Sequence, residues 1–327
     1  MVQKQALACT AFRQPLFSLL VFTVFLFVPA SSIAQQRNIT FVVPLAAGGP
    51  ADLVGRIIAQ RMSEDSGEQV IVENIGGGSG QIALNKVARA KPDGTTLLFT
   101  VGSFLTVVPH LYPKADLDPH NLFAPVAMLT AFPTMLVSSS KLPTPDLKSF
   151  LAYAYANPDK LNFASPGAGS NPHLAAEAIK RKLGFNAAHV PYRGGGPALA
   201  AVMAGDVDFA CTEPSNLLAQ MDSGKLRALA VADSKRHAAF PDVPSFAELG
   251  YSDLEFRAWT AVLAPAGTSK TVIERLEKRL RAAVQSPDVM RRKIDAVFSG
   301  PQVLSQVIKR ESAQWRPLIE GLGLAQE

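Results

Sequence analysis

Val42-Val43-Pro44-Leu45-Ala46-Ala47-Gly48-Gly49-Pro50-Ala51-Asp52 is the stretch whose reading decides the fold. A β-type run over 39–43 breaks at a proline, passes through small residues and a glycine pair, and enters a helical pattern. Past Asp52, the apolar residues Leu53, Val54, Ile57, Ile58 and Met62 recur at one-face helical spacing. Asp52 as N-cap or Pro50 at the first helical position opens that helix. A strand, a side-chain-poor loop and a helix N-terminus bring unpaired backbone N–H groups to one spot, where the helix dipole favours an anion. Ala46, Ala47, Gly48, Gly49 and Asp52 are therefore the first candidate ligand-binding residues.

Two later stretches repeat the arrangement. Ala164-Ser165-Pro166-Gly167-Ala168-Gly169-Ser170-Asn171-Pro172-His173 leaves a strand and enters a helix capped by Ser170 or Asn171, with Pro172 at its start. Ser165 and Ser170 add hydroxyl donors, Gly167 an unhindered backbone, and His173 opens the helix beyond. Val190-Pro191-Tyr192-Arg193-Gly194-Gly195-Gly196-Pro197 is the third junction, and its Arg193 and Gly194 face the same kind of ligand. Loops of this type lie at the carboxyl ends of strands in α/β sheets, where ligands bind.

The rest of the chain alternates. Strands are expected at 69–73, 95–100, 126–129, 134–137, 161–164, 189–192, 207–211, 226–231 and 261–264, the third and fourth flanked by prolines. Helices are expected at 81–90, 147–156, 173–183, 197–204, 272–284, after Ser286-Pro287, and at 303–315. Alternation of this kind implies an α/β fold with mostly parallel sheets. The 327 residues suffice for two domains, and 48% hydrophobic with 18% charged residues excludes a disordered or fibrous chain.

The N-terminus reads as a targeting segment. Lys4 and Arg13 precede or border an apolar run over 16–28, too short to span a bilayer, and Ser32-Ile33-Ala34 fits small-x-small cleavage before Gln35. Residues 1–34 are thus expected to be a cleaved signal peptide, the alternative being an uncleaved anchor helix, and the protein is expected to be exported. Without Lys4 and Arg13 the formal charge falls from +5 to +3, with no basic run, so no nucleic-acid partner is expected. Cys211 is the one cysteine of the mature chain and reads as a buried small hydrophobe, which leaves no disulfide framework and no metal site.

Enzyme signatures are incomplete. Gly78-Ser79-Gly80-Gln81-Ile82-Ala83 has the G-x-G-x-x-A form, but the next strand ends at Thr100-Val101-Gly102-Ser103 without the acid that a ribose hydroxyl requires. No cofactor is expected; the turn either packs a helix closely on the sheet or adds Ser79 to the ligand cleft. No G-x-S-x-G, H-E-x-x-H or phosphate-binding loop occurs. The alternative to a binding protein is an exported α/β hydrolase-like enzyme using Ser165 or Ser170. It would need a positioned base, and no orienting acid is evident beside His173.

Val42-Val43-Pro44, Ala47-Gly48-Gly49, Asp52, Val72-Glu73-Asn74, Pro92-Asp93-Gly94-Thr95, Asn157-Pro158 and His189-Val190-Pro191-Tyr192-Arg193-Gly194 occur in this order. Gly224-Lys225-Leu226-Arg227-Ala228-Leu229-Ala230-Val231, Pro241-Asp242-Val243-Pro244 and Ala264-Pro265-Ala266-Gly267-Thr268 follow them. Together they resemble the substrate-binding proteins of tripartite tricarboxylate transporters, the Bug family. The resemblance covers the mature chain. It implies a two-lobed type II periplasmic-binding-protein fold that closes like a Venus flytrap on a small organic carboxylate. It also implies delivery to the membrane permease subunits of such a transporter, by a protein acting as a monomer and not as an enzyme. Lobe 1 would combine 36–133 with 230–327, and lobe 2 would be 134–229. The carboxylate would be held mainly by the first loop and by 165–170. Where that family commonly has Asp-Asn, able to meet a ligand amine, this chain has Thr212-Glu213. That points to a ligand without an amine, unless Glu213 takes over the role.

Overall fold

The computed structural model describes residues 38–48, 50–192, 194–218, 220, 223–291 and 295–326. The expected signal peptide over 1–34, Gly49 and Arg193 lie outside them. Chain order is β1 (Ile39–Val43), α1 (Pro50–Ser66), β2 (Val70–Asn74), α2 (Gln81–Ala88), β3 (Thr96–Val101), α3 (Ser103–Thr106), α4 (Val108–Leu111) and α5 (Pro119–Leu122). The long strand β4 (Phe123–Ser139) follows, then α6 (Leu147–Ala156), β5 (Asn162–Ser165), α7 (Asn171–Leu183), β6 (Ala188–Pro191), α8 (Gly195–Ala204) and β7 (Phe209–Thr212). The remainder is α9 (Pro214–Leu218), β8 (Leu226–Ala232), β9 (Arg257–Pro265), α10 (Lys270–Val284), α11 (Pro287–Arg291), β10 (Ala296–Ser299) and α12 (Pro301–Gly321).

Local chemistry explains most boundaries. Asp146 and Ser149 form a reciprocal capping box that starts α6, and Asn157 before Pro158 stops it. The Ser170 and Ser269 hydroxyls accept from the third N–H of α7 and α10. Gly184 and Gly205, both left-handed, end α7 and α8.

The architecture is a two-lobed α/β fold built from two similar strand groups. β1 lies between β2 and β3, all parallel, and β5 lies between β6 and β7, all parallel. The expected parallel pairing holds within these groups. Outside them β4, β8, β9 and β10 pair antiparallel, so each sheet is mixed.

β4 joins the groups. Up to Pro133 it pairs with β9 and β10, and from Thr134 with β7 and β8. The two proline-flanked strands expected at 126–129 and 134–137 are therefore one strand of 17 residues. The prolines are tolerated because Pro125 sits beside a register shift and Pro133 at the handover, where the next N–H, of Thr134, donates to the Phe256 carbonyl.

Each strand group has apolar cores on its faces, among them Phe41, Ile58 and Phe99 in the first and Phe150, Phe163 and Phe209 in the second. A buried side chain of that size contributes about 1.5–3 kcal/mol. α12 belongs to both groups. Leu304 and Ile308 pack with Val42, Leu98 and Leu263, whereas Trp315, Leu318 and Ile319 pack with Phe150, Leu174 and Phe209. Among the described residues no helix is long and apolar enough to cross a membrane.

Candidate functional site

The central strands β1 and β5 each end in a Gly-rich loop that turns into a helix. These two loops and the β4–β9 crossing enclose a cavity of about 330 Å³. Leu45, Ala51 and Val54 line it from the first loop and α1, and Pro166, Ser170, Asn171 and Pro172 from the second loop and α7. The first turns of two long helices thus border one space, each with backbone N–H groups that lack intrahelical partners. The floor is the Thr130–Thr260 hydroxyl pair, 2.7 Å apart, with Trp259. Gly102 is required there: a Cβ at this position would lie 2.4 Å from the Trp259 ring.

α12 closes the cavity with Glu311 and Trp315. Both Glu311 carboxylate oxygens accept from the Trp259 indole N–H at 2.9 Å, and the residue is only 9% exposed. Burial pushes its carboxyl up to about 7, with Glu255 adding and the Trp259 hydrogen bond and Arg310 opposing. Glu213, at the end of β7, faces the same cavity; burial and then the Asp295 charge raise its carboxyl above the ordinary range. Arg257 lies at the wall and is bridged to Asp233 at 2.6 Å and Glu255 at 3.3 Å.

Of the expected residues, Ser170 and Glu213 line the cavity. Ser170 holds its loop as well: its hydroxyl donates to the Gly167 carbonyl at 2.7 Å and accepts from the His173 N–H. Ala46, Ala47 and Gly48 are exposed beside it. Asp52 is buried inside the first turn of α1 and is not its N-cap. Its Oδ2 accepts from Gly48 N–H at 2.8 Å and from Arg56 at 3.0 Å, so it pins the loop from below. Burial opposes its ionisation, but the hydrogen bonds from Arg56, Gly48 and Asn74 outweigh it and hold the carboxyl below its ordinary range. Gly167 and Gly194 take positive φ angles of 144° and 115° that favour glycine.

Four expected residues point elsewhere. Thr212 is buried on β7 opposite Met135, because alternate strand residues face opposite sides and the cavity falls to its neighbour Glu213. Ser79 sits on the turn before α2 and donates to the Tyr112 hydroxyl at 2.8 Å. The neighbouring Gly80 accounts for the G-x-G-x-x-A pattern by close packing, since a Cβ there would lie 2.2 Å from Phe104. Ser165 is fully buried and 2.6 Å from His189 Nε2, a partner the sequence reading missed because the two are 24 residues apart. His173 is buried and stacked on His189 at 3.9 Å, and accepts from Gly169 N–H at Nδ1. Burial, then His189 and Lys180, hold its imidazole down at about 4. Neither Ser165 nor His173 reaches the cavity lining, so the Ser165–His189 contact is a buttress beneath the loop. Cys211 is buried, and its thiol is raised by desolvation, as expected of a packing residue.

The sequence reading missed Ser103, Thr106, Thr130, Trp259, Glu311 and Trp315 as lining residues. A glutamate at an apolar position of the helical pattern in α12 was the available signal for one of them.

Comparison with known proteins shows the family and the fold. Residues 54–324 match the family model described as the tripartite tricarboxylate transporter family receptor. A UPF0065 protein from Pseudomonas sp. strain P51, encoded in a tcbD–tcbE intergenic region, is 36% identical over 289 residues, covering 87% of this chain and 86% of that protein. The periplasmic binding protein BugD is similar in structure, with TM-score 0.72 and 34% identity over 89% of this chain and 99% of that one. MatC from Rhodopseudomonas palustris, solved with bound malate, has TM-score 0.72 and 34% identity over 86% and 99%. The chain belongs to the tripartite tricarboxylate transporter family receptors of the Bug type, which are solute-binding proteins and not enzymes.

Proposed function

We propose that this protein captures a small organic carboxylate in the cavity between the two loops and delivers it to the permease subunits of a tripartite tricarboxylate transporter. The observation that carries the reading is the meeting of the first turns of α1 and α7 at one cavity. Helix N-termini stabilise an anion through free N–H groups and the helix dipole, without a dedicated cationic side chain. The malate bound to the related MatC fits this chemistry.

In this reading the helix N–H groups hold the carboxylate, and the Ser170 hydroxyl turns its one proton from the Gly167 carbonyl to the ligand. Asp52, Gly48 and Gly167 shape the loops, while Ser165 and His173 support the second loop from behind. Glu213 meets the rest of the ligand. The lobes are 36–133 with 230–327, and 134–229, with α12 crossing from one core to the other. The protein works as a monomer in the periplasm after removal of 1–34.

Calorimetric titration with small carboxylates tests the proposal. A charge-assisted hydrogen bond contributes about 1.5–3 kcal/mol. Ser170→Ala is therefore expected to weaken binding by roughly 10- to 100-fold, with far-UV circular dichroism unchanged. Equal affinity in the variant would remove the second loop from the site.

A further inference from the structure

Glu311 is a buried carboxylate in the cavity wall whose acceptor capacity is mostly unused. It stands on α12 between Ile308, packed in one core, and Trp315, packed in another. Both of its oxygens lie 2.9 Å from the same Trp259 indole nitrogen. A carboxylate offers about four lone-pair sites, and the indole supplies one N–H. Among the described residues this indole is its one side-chain hydrogen-bond partner, and it joins no ion pair. Yet the residue is only 9% exposed. A charge so buried is costly without further partners. Both Glu311 and the Trp259 ring that holds it line the cavity, so the unused lone pairs belong to a group a ligand meets. Resting on the carboxylate reading above, we infer that Glu311 is a specificity-determining residue, which accepts a hydrogen bond from a hydroxyl or N–H group on the body of the carboxylate ligand.

The neighbouring groups leave that acceptor unfilled. Arg310 on the same helix and Glu255 act on the carboxylate with opposite signs. Arg257, the one basic side chain among the described lining residues, is bridged to Asp233 and Glu255. His110 on α4, a helix packed on α12, is held by Ser312 at 2.8 Å. From α3, the Thr106 hydroxyl donates to the Gly102 carbonyl. Glu213 lines the same cavity and, when ionised, is itself acceptor-only. A donor on the ligand therefore supplies what the protein does not. It also favours the ionised form of Glu311, whose carboxyl burial pushes up to about 7. At pH 7 about half of the molecules carry that proton, and binding of the donor expels it. The number of carboxylates on the ligand does not enter, since the N-termini of both α1 and α7 border the cavity.

The test is calorimetric titration at pH 7 in two buffers of different ionisation enthalpy, which reads affinity and proton release together. Three matched pairs serve as probes: succinate against malate, benzoate against 4-hydroxybenzoate, and hexanoate against 6-aminohexanoate. In at least one pair the donor-bearing member is expected to bind roughly 10- to 100-fold tighter and to release up to about half a proton. Glu311→Gln, with an unchanged circular dichroism spectrum, is expected to lose the release and most of the preference. Absence of a preference in every pair that binds, or a preference without proton release, overturns the inference and leaves the carboxylate reading intact. A full preference retained in Glu311→Gln, and lost in Glu213→Gln or in neither, overturns the assignment to Glu311. Binding of none of the six overturns both readings.

Discussion

Replacing Glu311 by glutamine should change how the stability of the protein depends on pH. Glu311 is 9% exposed, and burial lifts its carboxyl from an ordinary 4.5 to about 7. Because the folded value is the higher one, the folded state binds the proton more tightly than the unfolded chain. The stabilising contribution is complete below pH 4.5, declines as pH rises, and is lost once pH passes about 7. At about 1.4 kcal/mol for each tenfold, the loss amounts to about 3 kcal/mol. Glutamine keeps an acceptor for the Trp259 indole and does not ionise, so the variant lacks this term.

The assay is urea unfolding of both proteins at pH 5 and pH 8. Fluorescence serves as the probe, since both tryptophans of the chain, Trp259 and Trp315, line the cavity. The lowered imidazoles of His173 and His189 add their own pH dependence in both proteins, so the informative quantity is the difference between the two proteins. Relative to wild type, the variant should gain about 2–3 kcal/mol between pH 5 and pH 8. A difference that stays the same at both pH values would refute the reasoning about Glu311.

Two further outcomes follow from the geometry. His173 has its imidazole held down at about 4 by burial, so it contributes stability that is present above pH 6.5 and is lost as pH falls toward 4; a His173→Gln variant should show a shallower acid transition in a pH-dependent thermal melt. Gly102→Val puts a side chain where a Cβ alone would lie 2.4 Å from the Trp259 ring; it should cost about 1–3 kcal/mol through overpacking and shift the tryptophan emission, and an unaltered spectrum with unaltered stability would contradict the packing.

The local sequence determined the repeating unit of this protein. Strand, Gly-rich loop and capped helix are written in contiguous residues at 39–62 and 162–183, because proline, glycine and serine act on their own backbone neighbours. The capped start of α7 at Ser170 and the α6 range 147–156 are legible for the same reason. Which of these residues reach the cavity was decided by tertiary structure. Thr212 and Glu213 are adjacent in sequence, yet strand alternation buries the first and turns the second into the cavity. Ser165 looks like a ligand hydroxyl until His189, brought alongside on the parallel strand β6, occupies it. The cavity floor and its acidic wall come from β9 and α12, whose positions depend on pairing β9 with both β3 and β4 and on α12 spanning two cores. Contacts over such distances leave no mark on local periodicity, so Trp259 carried no functional signal until the chain was folded, and Glu311 only the oddity of a glutamate at an apolar position of α12.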